Sequence, residues 1–426
     1  MAEERTTEQE GTAAGQRAQS TGAADIPGGR LGSHARLASV DFLRGSVMIL
    51  MALDHTRDFF HYCGFYSPCD PTDLSRTYTA LFVTRWVTHF CAPVFVFLAG
   101  AGAFLSGSRG KSKSDLSIFL LTRGLFLILL ELTVVRVSWW FNFDFRFEGG
   151  QVIWALGWSM ILLAGLIFLS ARTVTVFAVA MIAVHNLFDG LRAQDLGALD
   201  WVWKILHEFS LIQPTPRTAF AVAYPLIPWM GVMAAGYGFG RLLLLERGTR
   251  RKTLLILGAG LVLLFVIIRA TNLYGDPRPW SSQKSTLFTV FSFLNTEKYP
   301  PSLLFLLMTL GPAIAALSMP DRELGRLTRP VIVFGRVPLF FYLLHLPLIH
   351  GLAVLIARLR YGQAEWLFSN PPWLPGVTPV RIPEAYGFGL PVVYLIWFGI
   401  VLALYPVCAW YAGVKKRRRD AWLSYV

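Results

Sequence analysis

The chain has 426 residues, of which 54% are hydrophobic and 15% charged, with a mean hydropathy of +0.50 and a formal net charge of +13. Its apolar residues come in long runs separated by short basic loops, which excludes an ordinary soluble domain and reads as a polytopic membrane protein. The Lys and Arg residues are spread over those loops, so the positive balance reports membrane orientation, and no nucleic-acid partner is expected.

Residues 1–36 are rich in Gly, Ala, Thr, Glu and Gln and hold hardly a large apolar side chain. They cannot bury enough surface to fold, so a disordered cytoplasmic tail is expected. No signal peptide is expected, because the first apolar run lies too far in, is too long and lacks a small-residue cleavage site.

The first span is placed at about Leu37–Phe60, and within it the stretch SVDFLRGSVMILMALDHTRDFFH (Ser39 to His61) is unusually charged. Arg44 and His55 are separated by about three helical turns, roughly 16 Å of rise, and project from one face. Asp41 joins that stripe one turn before Arg44, and Met48 and Met51 fill its middle. Ionisable groups at membrane depth cost about 2.5–3.5 kcal/mol each on insertion scales, which makes function the first hypothesis for Arg44, Asp54 and His55. Interfacial anchoring is the competing reading of Asp41 and Arg44. In the loop that follows, Cys63 and Cys69 bracket GFYSP and are compatible with a small disulfide or with two thiols. The four cysteines match no zinc-site spacing.

Further spans are expected near Ala80–Leu105, Leu116–Ser138, Gln151–Leu169, Thr173–Leu191, Thr218–Leu244, Thr253–Ala270, Pro301–Met319, Val331–Ala357 and Leu390–Val414. The predicted fold class is therefore all-α, a transmembrane helical bundle of about ten spans. It occupies residues 37–414 and is followed by a basic cytoplasmic tail, 415–426. Arg109, Lys111 and Lys113, then Arg172, then Arg247, Arg250, Arg251 and Lys252, then Arg322, Arg326 and Arg329, and finally Lys415 to Arg419 all fall on one side. Both termini are accordingly expected in the cytoplasm. The opposite loops, Asn142–Gly150, Ala193–Arg217, Asn272–Pro300 and Arg358–Gly389, are long and rich in aromatics, as lids or caps are. No internal repeat is evident, which weakens a transporter reading.

Helical rise places His55, His89 and His345 at or outside the middle of the membrane, with Glu131 and His185 at similar depth. Such a layer suits acid–base chemistry, metal binding or proton relay, and each histidine alone is equally compatible with a plain interhelical hydrogen bond. HExxH and G-x-S-x-G are absent, so neither a metal site nor a serine nucleophile is expected. Pro93 follows His89 by one turn, and Pro338 and Pro347 flank Tyr342 and His345, so kinks accompany both histidines. Arg44, Arg123 and Arg336 lie in the cytoplasmic halves and suit an anionic ligand such as a nucleotide phosphate. For Arg123 positive-inside anchoring is the preferred reading.

RLASVDFLRGSVMILMALDH, THFCAPVFVFLAGAGAFL, YPLIPWMGVMAAGYGFG and FGRVPLFFYLLHLPLIH, in this order, resemble the bacterial branch of the heparan-alpha-glucosaminide N-acetyltransferase-like membrane proteins. The resemblance runs from about Arg36 to the C-terminus. Arg44 with ten residues before His55 is also similar to the Arg-x10-His arrangement in the first helix of the broader membrane acyltransferase group, where the pair is associated with acyl-CoA binding and acyl transfer. One departure stands out. The lysosomal enzyme has a functional histidine shortly before the segment that resembles Ala92–Gly100, and the matching Tyr78–Thr79 region here has none, so His55 or His89 would take the role.

The resemblance implies an O- or N-acetyltransferase in the lipid bilayer of a bacterial inner membrane, moving acetyl from cytosolic acetyl-CoA to an extracytoplasmic, carbohydrate-like acceptor. Self-association is left open. Under it His55 is the general base, Asp54 or Asp58 orients it, His89 and His345 shape the acceptor pocket, and Arg44, Asp41 and Arg336 form the CoA end. A proton-coupled transporter or exporter is the alternative.

Overall fold

The computed structural model describes residues 37–67, 69–319, 325, 328–418, 420, 423 and 425. The expected N-terminal tail, residues 1–36, and the basic residues Arg322, Arg326 and Arg419 lie outside the described residues.

Helix α1 (Ala38–Phe60) starts without a side-chain cap and carries the charged stripe. It packs against several other helices because its apolar positions, among them Val47, Met48, Ala52, Leu53 and Phe59, are buried. The second rod is broken into α2 (Thr79–Thr88) and α3 (Cys91–Gly107). Pro93, in the first turn of α3, has no N–H to bond back across the break. Helix α4 (Lys113–Leu130) is capped by Ser112, whose hydroxyl accepts from the Asp115 N–H, and continues through a π turn (Glu131–Val135) into α5 (Arg136–Trp140). Strand β1 (Phe147–Gly150) leads into α6 (Val152–Leu166), followed by α7 (Ala171–Val184).

The expected sixth span, Thr218–Leu244, is corrected at its start. After α8 (Asp200–His207) the chain forms β2 (Ser210–Thr215) and β3 (Thr218–Val222), and only then α9 (Leu226–Phe239). β3 pairs in parallel with β1 and antiparallel with β2, so the fold is mostly helical and not purely so. Pro216 and Arg217 turn the hairpin, and the short alternating run TAFAV half-buries itself on the bundle, where Ala219 and Val222 are buried. Helix α10 (Arg247–Thr271), the short α11 (Thr286–Leu294), α12 (Leu303–Ala316), α13 (Arg329–Arg336), α14 (Pro338–Tyr361) and α15 (Leu390–Arg417) complete the chain.

Among the described residues, 6 stretches are helices long and apolar enough to cross a membrane: Thr79–Gly107, Lys113–Trp140, Ala171–Phe188, Arg247–Thr271, Pro338–Tyr361 and Leu390–Arg417. α6 and α12 are apolar but shorter, and α1 is long enough yet heavily charged.

Glycine sets how closely the rods approach. A Cβ on Gly45 would collide with the carbonyl of Val331, and one on Gly335 with the carbonyl of Asp41, so α1 and α13 touch backbone to backbone. Gly100 and Gly236 do the same for α3 and α9.

The loops at one end form a continuous cap held by two buried arginines. Arg136 donates to the carbonyls of Asn142, Asp144 and Phe147 and to Asn370 Oδ1. Arg269 donates to the carbonyls of Arg278, Ser292, Phe293 and Asn295. Each guanidinium satisfies several loop carbonyls that would otherwise be buried without a donor. Cys63 and Cys69 are disulfide-bonded in the same cap.

Candidate functional site

The last turns of α1 present Asp54, His55, Arg57 and Asp58 within one and a half turns of helix. The Asp54 carboxylate accepts from Arg85 Nη1 of α2 at 2.8 and 2.6 Å and from Arg57 Nη2 at 3.2 Å. Arg57 Nη2 also reaches Asp58 Oδ1 at 2.5 Å and Arg57 Nη1 the Cys63 carbonyl at 3.2 Å. A carboxylate so fully engaged fixes α1 against α2; it is placed as an anchor, while Asp58 is the acid beside the histidine. His55 Nδ1 lies 3.6 Å from Asp58 Oδ2, and its ring meets Trp139 edge-on at 5.0 Å and His345 at 5.3 Å.

A small cavity opens beside these groups, lined by Asp54, His55, Thr88, Gln151, Tyr224, Lys298 and Tyr342. Lys298 comes from the segment between α11 and α12, is buried, and lies 5.0 Å from the Tyr299 ring. Burial alone would raise the Tyr299 phenol, but Lys298 and Arg85 outweigh it and hold the group below its ordinary value. Just past the end of α1, burial and then Arg57 push His61 down to about 4, and its Nδ1 accepts from the Cys63 N–H at 2.9 Å. That ring is therefore neutral and holds the disulfide loop in place.

The other nominated residues fall in three places. His345 is buried against His55, its Nδ1 2.7 Å from the Tyr342 carbonyl, while its Nε2 has no hydrogen-bond partner. His89 sits at the break between α2 and α3 with its ring 5.5 Å from Phe305, away from the cavity lining. Asp41, Arg44 and Arg336 come together at the other end of α1. Arg44 Nη1 lies 3.8 Å and Arg336 Nε 3.6 Å from the Asp41 carboxylate, and Arg44 Nη2 donates to the Leu98 carbonyl at 3.4 Å. Glu131 and His185 each have partners of their own. Glu131 Oε2 accepts from the Ile153 and Trp154 N–H groups at 3.1 Å each, capping the otherwise unsatisfied start of α6. His185 faces His207 instead.

Residues 36–273 match the catalytic region of heparan-alpha-glucosaminide N-acetyltransferase. The chain belongs to that family. No curated protein sequence matches it significantly. Membership in the heparan-alpha-glucosaminide N-acetyltransferase family, with the six apolar helices, makes it an integral membrane protein of transferase type. The family match contains α1 to α10 and hence Arg44, Asp54, His55, Arg85 and His89; Lys298, Arg336 and His345 lie beyond it.

Arg57, Arg85 and Lys298 are among the site residues that sequence reasoning passed over. Arg85 carried a signal, as a cation in the span that also holds His89. Lys298 carried none, being one charge among many in a long polar loop. The aromatics of the long loops help to build the cap: Trp366 is buried between Tyr361 and Tyr386, and Trp280 donates to the Arg269 carbonyl.

Proposed function

We propose that the protein transfers an acetyl group from acetyl-CoA to the hydroxyl or amine of a carbohydrate-like acceptor in the cavity beside His55. The observation that carries this reading is that His55 and Lys298 line one small cavity, while Arg44 and Asp41 meet Arg336 of α13 at the opposite end of α1. The separation is roughly 16 Å of helical rise, which an extended pantetheine arm can bridge from the cationic end to the cavity. His55 takes the proton from the acceptor as its oxygen or nitrogen attacks the thioester carbonyl, Asp58 steadies the imidazolium, and the C–S bond breaks to release CoA thiolate. The Lys298 ammonium is suited to the negative charge that develops on the carbonyl oxygen.

This reading keeps ten spans with both termini cytoplasmic, residues 37–414 as the catalytic unit, the basic 415–426 segment as its cytoplasmic tail, and a bacterial inner membrane as the setting. Two features support the orientation. The basic clusters of the described residues lie at the end opposite the cap, and the Cys63–Cys69 bond in the cap suits an oxidising compartment. The test is direct. Purified protein supplied with acetyl-CoA should release free CoA slowly in detergent and faster when hexosamine acceptors are added. Release that stays at the rate of protein-free buffer with every acceptor would overturn the reading and return weight to transport.

A further inference from the structure

A second cluster of chemistry-bearing side chains lies apart from the His55 cavity, where α7 ends. His185 and Asp189 flank the single turn that follows α7, and His207 is the last residue of α8. His185 Nδ1 and His207 Nε2 are 3.3 Å apart, and His207 Nε2 is 3.8 Å from Asp189 Oδ1. One ligand atom from each of the three residues fits within 4.8 Å of the others. Bonds of about 2.0–2.1 Å to a tetrahedral ion place neighbouring ligand atoms about 3.3 Å apart, so these spacings already approach a ligand set.

The surroundings position the donors. Asn186 Nδ2 donates to Asp189 Oδ2 at 2.9 Å, leaving Oδ1 toward the histidines. The His207 ring stacks on Trp203 at 5.0 Å, and Trp203 Nε1 is itself fixed on the Leu191 carbonyl. Both histidines are buried; His207 Nε2 also lies 3.0 Å from the His185 carbonyl, a contact that a bound ion would replace, and the second ring nitrogen of His185, Nε2, has no hydrogen-bond partner.

We propose that His185, Asp189 and His207 bind a divalent first-row transition ion, of which zinc is the best fit, with a fourth position left for water. Two histidines and one carboxylate with an open position are the donor set such ions take. The site would join the end of α7 to α8. Asn186 extends its influence, since its Oδ1 accepts from the Leu303 N–H at 2.8 Å, where the segment carrying Lys298 enters α12. The ion is therefore placed as a staple of the cap. The expectation of no metal rested on local spacing, and His185 and His207 are 22 residues apart in a stretch with no recognisable motif.

The experiment uses the full chain, purified without a histidine tag, stripped with a chelator and titrated with Zn2+ and Co2+. Expected are about one equivalent of ion per chain, visible absorption of tetrahedral Co2+, and a thermal midpoint that rises on Zn2+ addition. His207→Gln, which keeps a hydrogen-bond donor, and Asp189→Asn should each weaken Zn2+ at least about tenfold and abolish the midpoint shift. Wild-type protein that takes up no ion, or binding unchanged in both variants, would show a hydrogen-bonded histidine pair and nothing more. None of these readouts depends on acetyl transfer.

Discussion

His55 differs from its fellow histidines in what its ring meets. His345 is tied to the Tyr342 carbonyl, His350 lies between the carbonyls of Ser138 and Leu367, and His61 accepts the Cys63 N–H. His55 instead borders the cavity, with an acid 3.6 Å from Nδ1. A general base contributes about 100- to 10,000-fold, so His55→Ala is expected to lower the acetyl-transfer rate by that order while acetyl-CoA binding, read by calorimetry, is retained. Near wild-type transfer in His55→Ala together with loss in His89→Ala would move the base to the helix break. Asp54 predicts a different phenotype. Removing it leaves Arg85 and Arg57 facing each other without their shared anion, and breaking a buried pair in this way costs about 3–5 kcal/mol. Asp54→Ala should therefore appear first as a lower thermal midpoint and poor yield, whereas Asp58→Asn, which keeps an oxygen for Arg57 Nη2, should lower the midpoint less and alter the pH profile of transfer.

At the scale of elements, the cationic end of the site depends on a glycine contact. Gly45 and Gly335 bring α1 and α13 into backbone contact, and Arg336 follows Gly335 directly. Gly335→Ala must push α13 away from the Asp41 carbonyl and so separate Arg336 from the Asp41 carboxylate, now 3.6 Å away. The expected result is a raised KM for acetyl-CoA with a smaller change in kcat, because His55 lies at the far end of α1. A fall in kcat at unchanged KM would show that the contact serves the cavity instead. The cap makes a pH prediction of its own. Burial raises Glu148 of β1 to about 7, with Arg136 4.0 Å away opposing the shift only in part. The folded state thus holds this proton more tightly than the unfolded chain does. Its contribution to stability is fully present below the ordinary value of 4.5 and is lost as pH rises through about 7. Glu148→Gln should remove that slope, so its thermal midpoint should exceed the wild type's increasingly across this interval; parallel curves would contradict the assignment.

At the scale of the molecule, most helices overlap the hydrophobic runs, although α9 starts only at Leu226 and the Val331–Ala357 run is divided between α13 and α14, and the charges inside the first run stood out because ionisable residues in an apolar run are costly. Features built from contacts between distant segments were not legible. The continuous apolar character of Thr218–Leu244 hid β3, whose identity depends on pairing with β1 far back in the chain. The partners of Glu131 were not legible either, because nothing in the sequence brings it to the start of α6. Lys298 was hidden for the same reason, and it is the residue through which the segment between α10 and α12 reaches the cavity. Its role can be separated from acceptor binding by kinetics. If the ammonium stabilises charge developing on the thioester oxygen, Lys298→Met should lower kcat by about 100- to 1,000-fold, the loss typical of removing one such donor. KM for the acceptor should change little, and Lys298→Arg should restore part of the rate because it returns the charge with altered geometry. If instead Lys298 grips the acceptor, acceptor KM rises while kcat at saturation holds, and exchanging the Asn272–Pro300 loop with that of a relative would then redirect acceptor choice without touching the chemistry.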